Sequence, residues 1–100
     1  MAAYLVLMHE VDDVDRYRGE YVPAVGPLLQ KHGAQVLVAG FDAEAAEGEP
    51  PNSTVVIRFD DAEAFWGFLN DPEYQPVKEI RLSTTSRRQM VVAPEFTPPG

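Results

Sequence analysis

The spacing of apolar residues along this chain changes period several times, and each change marks an element. Residues 4–11 form a run of bulky apolar side chains interrupted only by His9 and Glu10, the composition of a strand. Asp12 and Asp13 follow, and their carboxylates suit a helix start by accepting backbone N–H bonds and opposing the positive end of the dipole. Val14, Tyr17, Tyr21, Val25 and Leu28 then recur at three- or four-residue steps, one face of a helix running to about His32. Gly33 supplies a left-handed stop. Pro23 predicts a kink, because it removes a hydrogen bond and crowds the carbonyl of Gly19, and Pro27 predicts a second break.

Residues 34–40 and 54–59 read as the second and third strands, joined by an acidic connection over 41–52 that ends in Pro50-Pro51-Asn52. Asp60 with Glu63 three residues later makes a capping box, followed by the apolar set Ala64, Phe65, Phe68 and Leu69. Asn70-Asp71-Pro72 ends that helix and starts another, with Asp71 as N-cap and Pro72 at the first helical position. Residues 87–93 give the fourth strand. The order βαββαβ predicts an α+β fold: a ferredoxin-like antiparallel sheet, strand order four-one-three-two, with its helices on one face. One domain is expected over residues 1–94, and the proline-rich residues 95–100 read as a flexible tail.

Strand alternation sorts the sheet residues into two sets. Tyr4, Val6 and Met8, with Val36, Val38, Val55, Ile57, Phe59, Met90 and Val92, are almost purely apolar and are assigned to the helix side. Leu5, Leu7 and His9, with Gln35, Leu37, Ala39, Thr54, Val56, Arg58, Gln89 and Val91, make a mixed second face. Helices cover only one side of such a sheet, so the apolar content of the other predicts burial against a second copy of the chain. A chain of this size buries only about 60–68% of its unfolded surface, and pairing adds to that.

Sixteen acidic residues against eight basic give a formal charge of −8, with the excess scattered along the chain. No basic stripe exists to neutralise phosphates, which argues against nucleic acid and anionic membranes as partners. The absence of cysteine removes disulfides, thiolate chemistry and cysteine-bound metals. Two histidines and no cage-like spacing of carboxylates predict no metal and no cofactor. The first residues lack the marks of a secretory signal, and no apolar run approaches the ~20 residues that span a bilayer, so a cytoplasmic location is expected.

Candidate chemistry rests on few residues. His9 reads either as a general base or as a hydrogen-bonded histidine at a strand end. In the expected register His9 lies near Thr54 and Arg87, and the connection carrying Glu47 leaves from the same end. An imidazole, a carboxylate and a guanidinium then converge, provided no strand slips by a residue. Arg58 shares the face of His9 but sits about 13 Å away at strand rise. It reads as a carboxylate-binding group or as the partner of an acidic residue across a dimer. Tyr17, Tyr21, Trp66 and Tyr74 suit the wall of a pocket for flat organic ligands, and core packing explains them equally well.

Tyr17 with Tyr21, the Gly33 stop, the strand ending at Gly40, Glu47-Gly48, Val55-Val56-Ile57, and Pro72-Glu73-Tyr74-Gln75 followed by Arg81 occur in a familiar order. Over residues 3–93 the chain resembles the domain-of-unknown-function family numbered 1330, within the dimeric α/β-barrel superfamily. That resemblance implies pairing through the sheets and a pocket between sheet and helices. The superfamily includes cofactor-free monooxygenases, muconolactone isomerases and haem-handling proteins. The family itself brings no agreed catalytic residues, and His9 stands where similar sequences are commonly aliphatic. Glu47 occupies the family-like acidic position, open to two readings: an acid/base or ligand-anchoring group, or a turn residue paired with Arg87 or Arg81.

The resulting expectation is a homodimer that binds a hydrophobic or aromatic small molecule. Its first form is a cofactor-independent isomerase, cyclase or monooxygenase. Glu47 or His9 would move the proton, and Tyr17, Tyr21, Arg58, Trp66, Tyr74 and Arg87 would contact the ligand. Its second form is a non-catalytic ligand-binding or structural dimer module.

Overall fold

The computed structural model describes all 100 residues. Strand β1 (Ala3–Val11) leads into a short helix α1 (Val14–Arg16), a π-helical turn (Tyr17–Tyr21) and helix α2 (Val22–Lys31). Strands β2 (Gln35–Gly40) and β3 (Ser53–Phe59) follow, then helices α3 (Ala62–Leu69) and α4 (Gln75–Thr84), and strand β4 (Thr85–Pro94). The sheet is antiparallel with order β2-β3-β1-β4, so the expected α+β ferredoxin-like architecture is the observed one. Beyond β4, Glu95 is still tied to the sheet, its N–H donating to the carbonyl of Ala2 and its carboxylate accepting from Tyr4.

Register is where the molecule departs from the sequence expectation. β1 meets β3 with Leu5 opposite Ile57, Leu7 opposite Val55 and His9 opposite Ser53, one residue from the expected pairing. In a strand a one-residue slip exchanges the two faces. Leu5, Leu7 and His9 therefore point at the helices and are buried, while Tyr4, Val6 and Met8 line the open side. The assignments of Val55, Ile57 and Phe59 to the helix side hold. In β2 a bulge between Val36 and Val38 puts Val36 and Ala39 on the helix side and Val38 on the open side.

The first helical segment solves its proline problem with a π-turn rather than with a break at Pro27. The N–H of Val22 donates five residues back, to the carbonyl of Tyr17. The wider turn falls just before Pro23, so the missing N–H of that residue lies in the first turn of α2, where no intrahelical partner is needed. Helix α2 then runs through Pro27 to Lys31. Its C-terminus is closed by Gly33 at φ 69°, as a left-handed stop requires.

Two other caps depart from expectation, by one residue at α3 and by three at α4. Asp61, not Asp60, caps α3 by accepting from the N–H of Ala64 at 2.8 Å, while Asp60 faces Arg58. Residues 72–74 form a turn and α4 begins at Gln75. Asp71 instead ties the helices together, accepting from Lys31 Nζ at 2.8 Å, from His32 Nε2 at 2.8 Å and from the N–H of Glu73. These donors, Lys31 foremost, hold its carboxyl well below the usual carboxylate range. The stabilisation is present above the ordinary carboxylate value and lost as pH falls through the depressed one.

Gly26 lies in mid-α2, and a Cβ added there would meet nothing within 4 Å. Gly26→Ala is therefore expected to raise stability by about 1 kcal/mol through backbone entropy, several degrees in Tm. A thermal melt checks this; a fall in Tm would show that the wall around Gly26 is closed.

Candidate functional site

Helix α2 stands off the sheet, and a cavity of about 220 Å³ lies between them. Leu5, Leu7, Val55, Ile57 and Met90 form its floor on the sheet, and Val25, Gly26 and Leu29 its roof on α2. Val22 and Val36, both about half exposed, mark the mouth between α2 and the edge strand β2. Every other wall residue is apolar or glycine, so the only side-chain oxygens come from Tyr17, Tyr21 and Tyr74. In size the cavity falls between an apolar hole of roughly 150 Å³ that takes benzene and the ~300 Å³ where drug-sized pockets begin.

The three tyrosines are positioned by separate elements. Tyr17 and Tyr21 open and close the π-turn, both are buried, and their rings stack with centroids 5.1 Å apart. Tyr74 ends the turn before α4, fully buried, and its ring packs on Phe68 at 4.5 Å. The hydroxyls of Tyr21 and Tyr74 share a hydrogen bond of 2.9 Å, and Arg81 Nε donates to Tyr74 Oη at 3.2 Å. Arg81 is only 4% exposed, and no carboxylate lies within ion-pair range of it. A buried guanidinium without a counter-anion is costly and uncommon.

His9 lies behind Tyr17, fully buried, with Nε2 3.4 Å from the hydroxyl and the rings edge-to-face. Its Nδ1 has no hydrogen-bond partner. Burial, and then the charges of Arg81 and Arg88, push the imidazole down to about 4, so it is neutral at pH 7. Burial also holds the Tyr17 hydroxyl up at about 12 and that of Tyr21 well above its ordinary value. All three groups are thus uncharged at neutral pH, and the fixed charge of this region is the guanidinium.

The other sequence candidates lie elsewhere. Glu47 is exposed on the connection between β2 and β3 and makes no hydrogen bond or ion pair with His9 or Arg87. Arg87 adopts φ 51° at the irregularity in the β1–β4 ladder, and its guanidinium contacts the carbonyl of Glu49 at 3.1 Å and Glu10 at 3.7 Å. The expected convergence of His9, Glu47 and Arg87 is therefore corrected: the register that buries His9 leaves Glu47 and Arg87 on the outside. Arg58 opens onto the other side of the sheet and pairs with Asp60 at 3.4 Å. Trp66 is half exposed on α3, against Phe65, and is no part of the cavity wall.

In the sequence Arg81 stands out only as part of the family resemblance and as a candidate partner for Glu47. The available signal was its spacing: seven residues, two helical turns, separate Tyr74 from Arg81 and put them on one face. The apolar roof, Val25 and Leu29, gave no separate signal because cavity wall and core have the same composition.

The open face of the sheet carries a second pattern. Val38, Val56, Val6 and Val91 stand opposite one another across all four strands in one row. The outer two are 47% and 57% exposed, a contiguous apolar band on the surface of the isolated chain.

Comparison with solved structures gives the same fold at low identity. A Rhodopseudomonas palustris protein of unknown function superposes with TM-score 0.80 at 14% identity, covering 97% of this chain and 84% of that one. A Bacteroides fragilis protein, described as dimeric, of unknown function and ferredoxin-like, gives 0.63 at 18%, covering 95% and 96%. A Thermobifida fusca protein described as a dimeric ferredoxin-like protein of unknown function gives 0.56 at 16%, covering 92% and 89%. No functionally curated protein matches the sequence. The family model for the domain of unknown function DUF1330 matches residues 2–95, nearly the whole chain, and the protein belongs to that family.

Proposed function

We propose that this protein is a homodimer that binds a hydrophobic organic molecule, the size of one or two fused rings, between α2 and the sheet. The cavity carries the reading. An apolar pocket of this volume, open only at the mouth between Val22 and Val36, leaves its wall without packing partners, which disfavours the empty state. A ligand that fills it recovers dispersion contacts and removes apolar surface from water. The valine row supports the dimer, because burying it against a second copy removes an exposed apolar band, and two structural relatives are described as dimeric.

A cofactor-independent isomerase or cyclase that works by proton transfer is the second reading, favoured by one observation. His9 is neutral, has an unpartnered ring nitrogen, and touches the wall residue Tyr17. In it, Tyr17 passes a ligand proton to His9 and returns it to another ligand atom, so that no oxidant or reductant enters. An imidazole held near 4 is a weak base at pH 7, which makes binding the leading reading.

Three measurements test these statements. A naphthalene-sized fluorescent probe should bind once per protomer, and Leu29→Trp, which fills the cavity, should weaken it at least tenfold. If Leu29→Trp does not fold, Gly26→Phe in the roof serves the same purpose. Undiminished binding by a folded variant would place the probe elsewhere. Light scattering should give twice the chain mass for the wild type and a single chain for Val56→Glu, whose charge interrupts the valine row. A wild-type monomer at micromolar concentration removes the dimer. Because the imidazole titrates near 6.5 unfolded and near 4 folded, the unfolded state binds more protons between those values. Stability should thus decline from pH 6.5 towards 4, and a series of melts should show a flatter decline for His9→Gln.

A further inference from the structure

Counting donors around the tyrosine pair shows what the polar end of the cavity lacks. Three hydrogens belong to the group: the Arg81 Nε–H and the hydroxyl hydrogens of Tyr21 and Tyr74. Two bonds are made, Arg81 to Tyr74 and one between the two hydroxyls. Whichever hydroxyl donates in the shared bond, one hydroxyl hydrogen is left with no acceptor in the protein. Both tyrosines belong to the cavity wall; the one other side-chain acceptor in that wall is Tyr17, whose hydroxyl is directed to His9 and receives no hydrogen bond from either of them.

Charge adds a direction to the count. The Arg81 guanidinium is buried behind Tyr74 and lacks a carboxylate partner. A hydrogen bond accepted from a cation makes the accepting hydroxyl a stronger donor in turn, an effect enlarged by the dry surroundings. The chain from Arg81 through Tyr74 and Tyr21 is therefore polarised towards an acceptor, and the guanidinium behind it repels a ligand ammonium.

We infer that the cavity selects apolar molecules bearing one oxygen acceptor with partial or full negative charge, a ketone, enolate or carboxylate, seated against the Tyr21–Tyr74 hydroxyl pair with Arg81 behind it. This rests on the cavity being a ligand site and specifies the chemistry of its occupant. The same arrangement stabilises an enolate oxygen more than the parent ketone, because the donor and charge are fixed before the charge develops.

The test uses one bicyclic skeleton, bare or with one of three polar ends: indane, 1-indanone, indane-1-carboxylate and 2-aminoindane, titrated calorimetrically. Indanone and the carboxylate should bind at least tenfold tighter than indane, and aminoindane more weakly than indane. Tyr21→Phe leaves one free hydroxyl hydrogen, on Tyr74, and should retain a preference for indanone. The double variant Tyr21→Phe/Tyr74→Phe should erase it while indane still binds. Arg81→Met should weaken the carboxylate more than indanone; if it does not fold, the double tyrosine variant still decides. Equal binding of indane and indanone overturns this inference alone. Failure of all four to bind the wild type overturns the cavity reading and this inference with it.

Discussion

The antiparallel register between β1 and β3 is the constraint on which the rest of the molecule depends. With Leu5 opposite Ile57 and Leu7 opposite Val55, the sheet presents large aliphatic side chains to the helices and a row of valines to the opposite side. The same register carries His9 into the interior beside Tyr17. A shift by one residue would put the imidazole in water and Tyr4, Val6 and Met8 in the core, and the tyrosines would have no histidine behind them. One backbone ladder thus decides the floor of the cavity, the surface available for pairing, and the ionisation of His9.

Above that floor, the π-turn does for the helical layer what register does for the sheet. An uninterrupted α-helix through Pro23 would lose a hydrogen bond and clash with the preceding turn. The extra residue in the π-turn removes that conflict and brings Tyr17 and Tyr21 inward together, stacked on each other. Extra residues of this kind are common where a helix must present side chains to a site. Asp71 completes the layer by joining the end of α2 to the turn before α4 through Lys31 and His32, which fixes Tyr74 against Tyr21.

The electrostatic character of the interior follows from its dryness. His9, Tyr17 and Tyr21 are all shifted by burial towards their neutral forms, and the surrounding protein is strongly acidic overall. Arg81 brings a guanidinium into that interior with no carboxylate beside it. A lone internal cation next to apolar walls and hydroxyl groups is a combination a purely structural core has little reason to keep. It gives the cavity a polar end as well as a size.

Much of this was legible in the sequence. Periodicity and capping residues determined six main elements, their order and the sheet topology, because local patterns of apolar spacing, proline and glycine act within a few residues. Tyr17, Tyr21 and Tyr74 stood out for the same reason, as large side chains on the apolar faces of helical segments. The faces of β1 did not, because both sets of alternating residues are apolar and the single histidine suggested the wrong one as the outer. Only tertiary contact chose between them, since register depends on which partner strand is met and where. The link from Tyr74 to Arg81, the standing-off of α2 and the separation of Glu47 and Arg87 from His9 were likewise decided by packing between segments far apart in the chain. Local sequence sets what each segment is; the distances between their side chains belong to the assembled molecule.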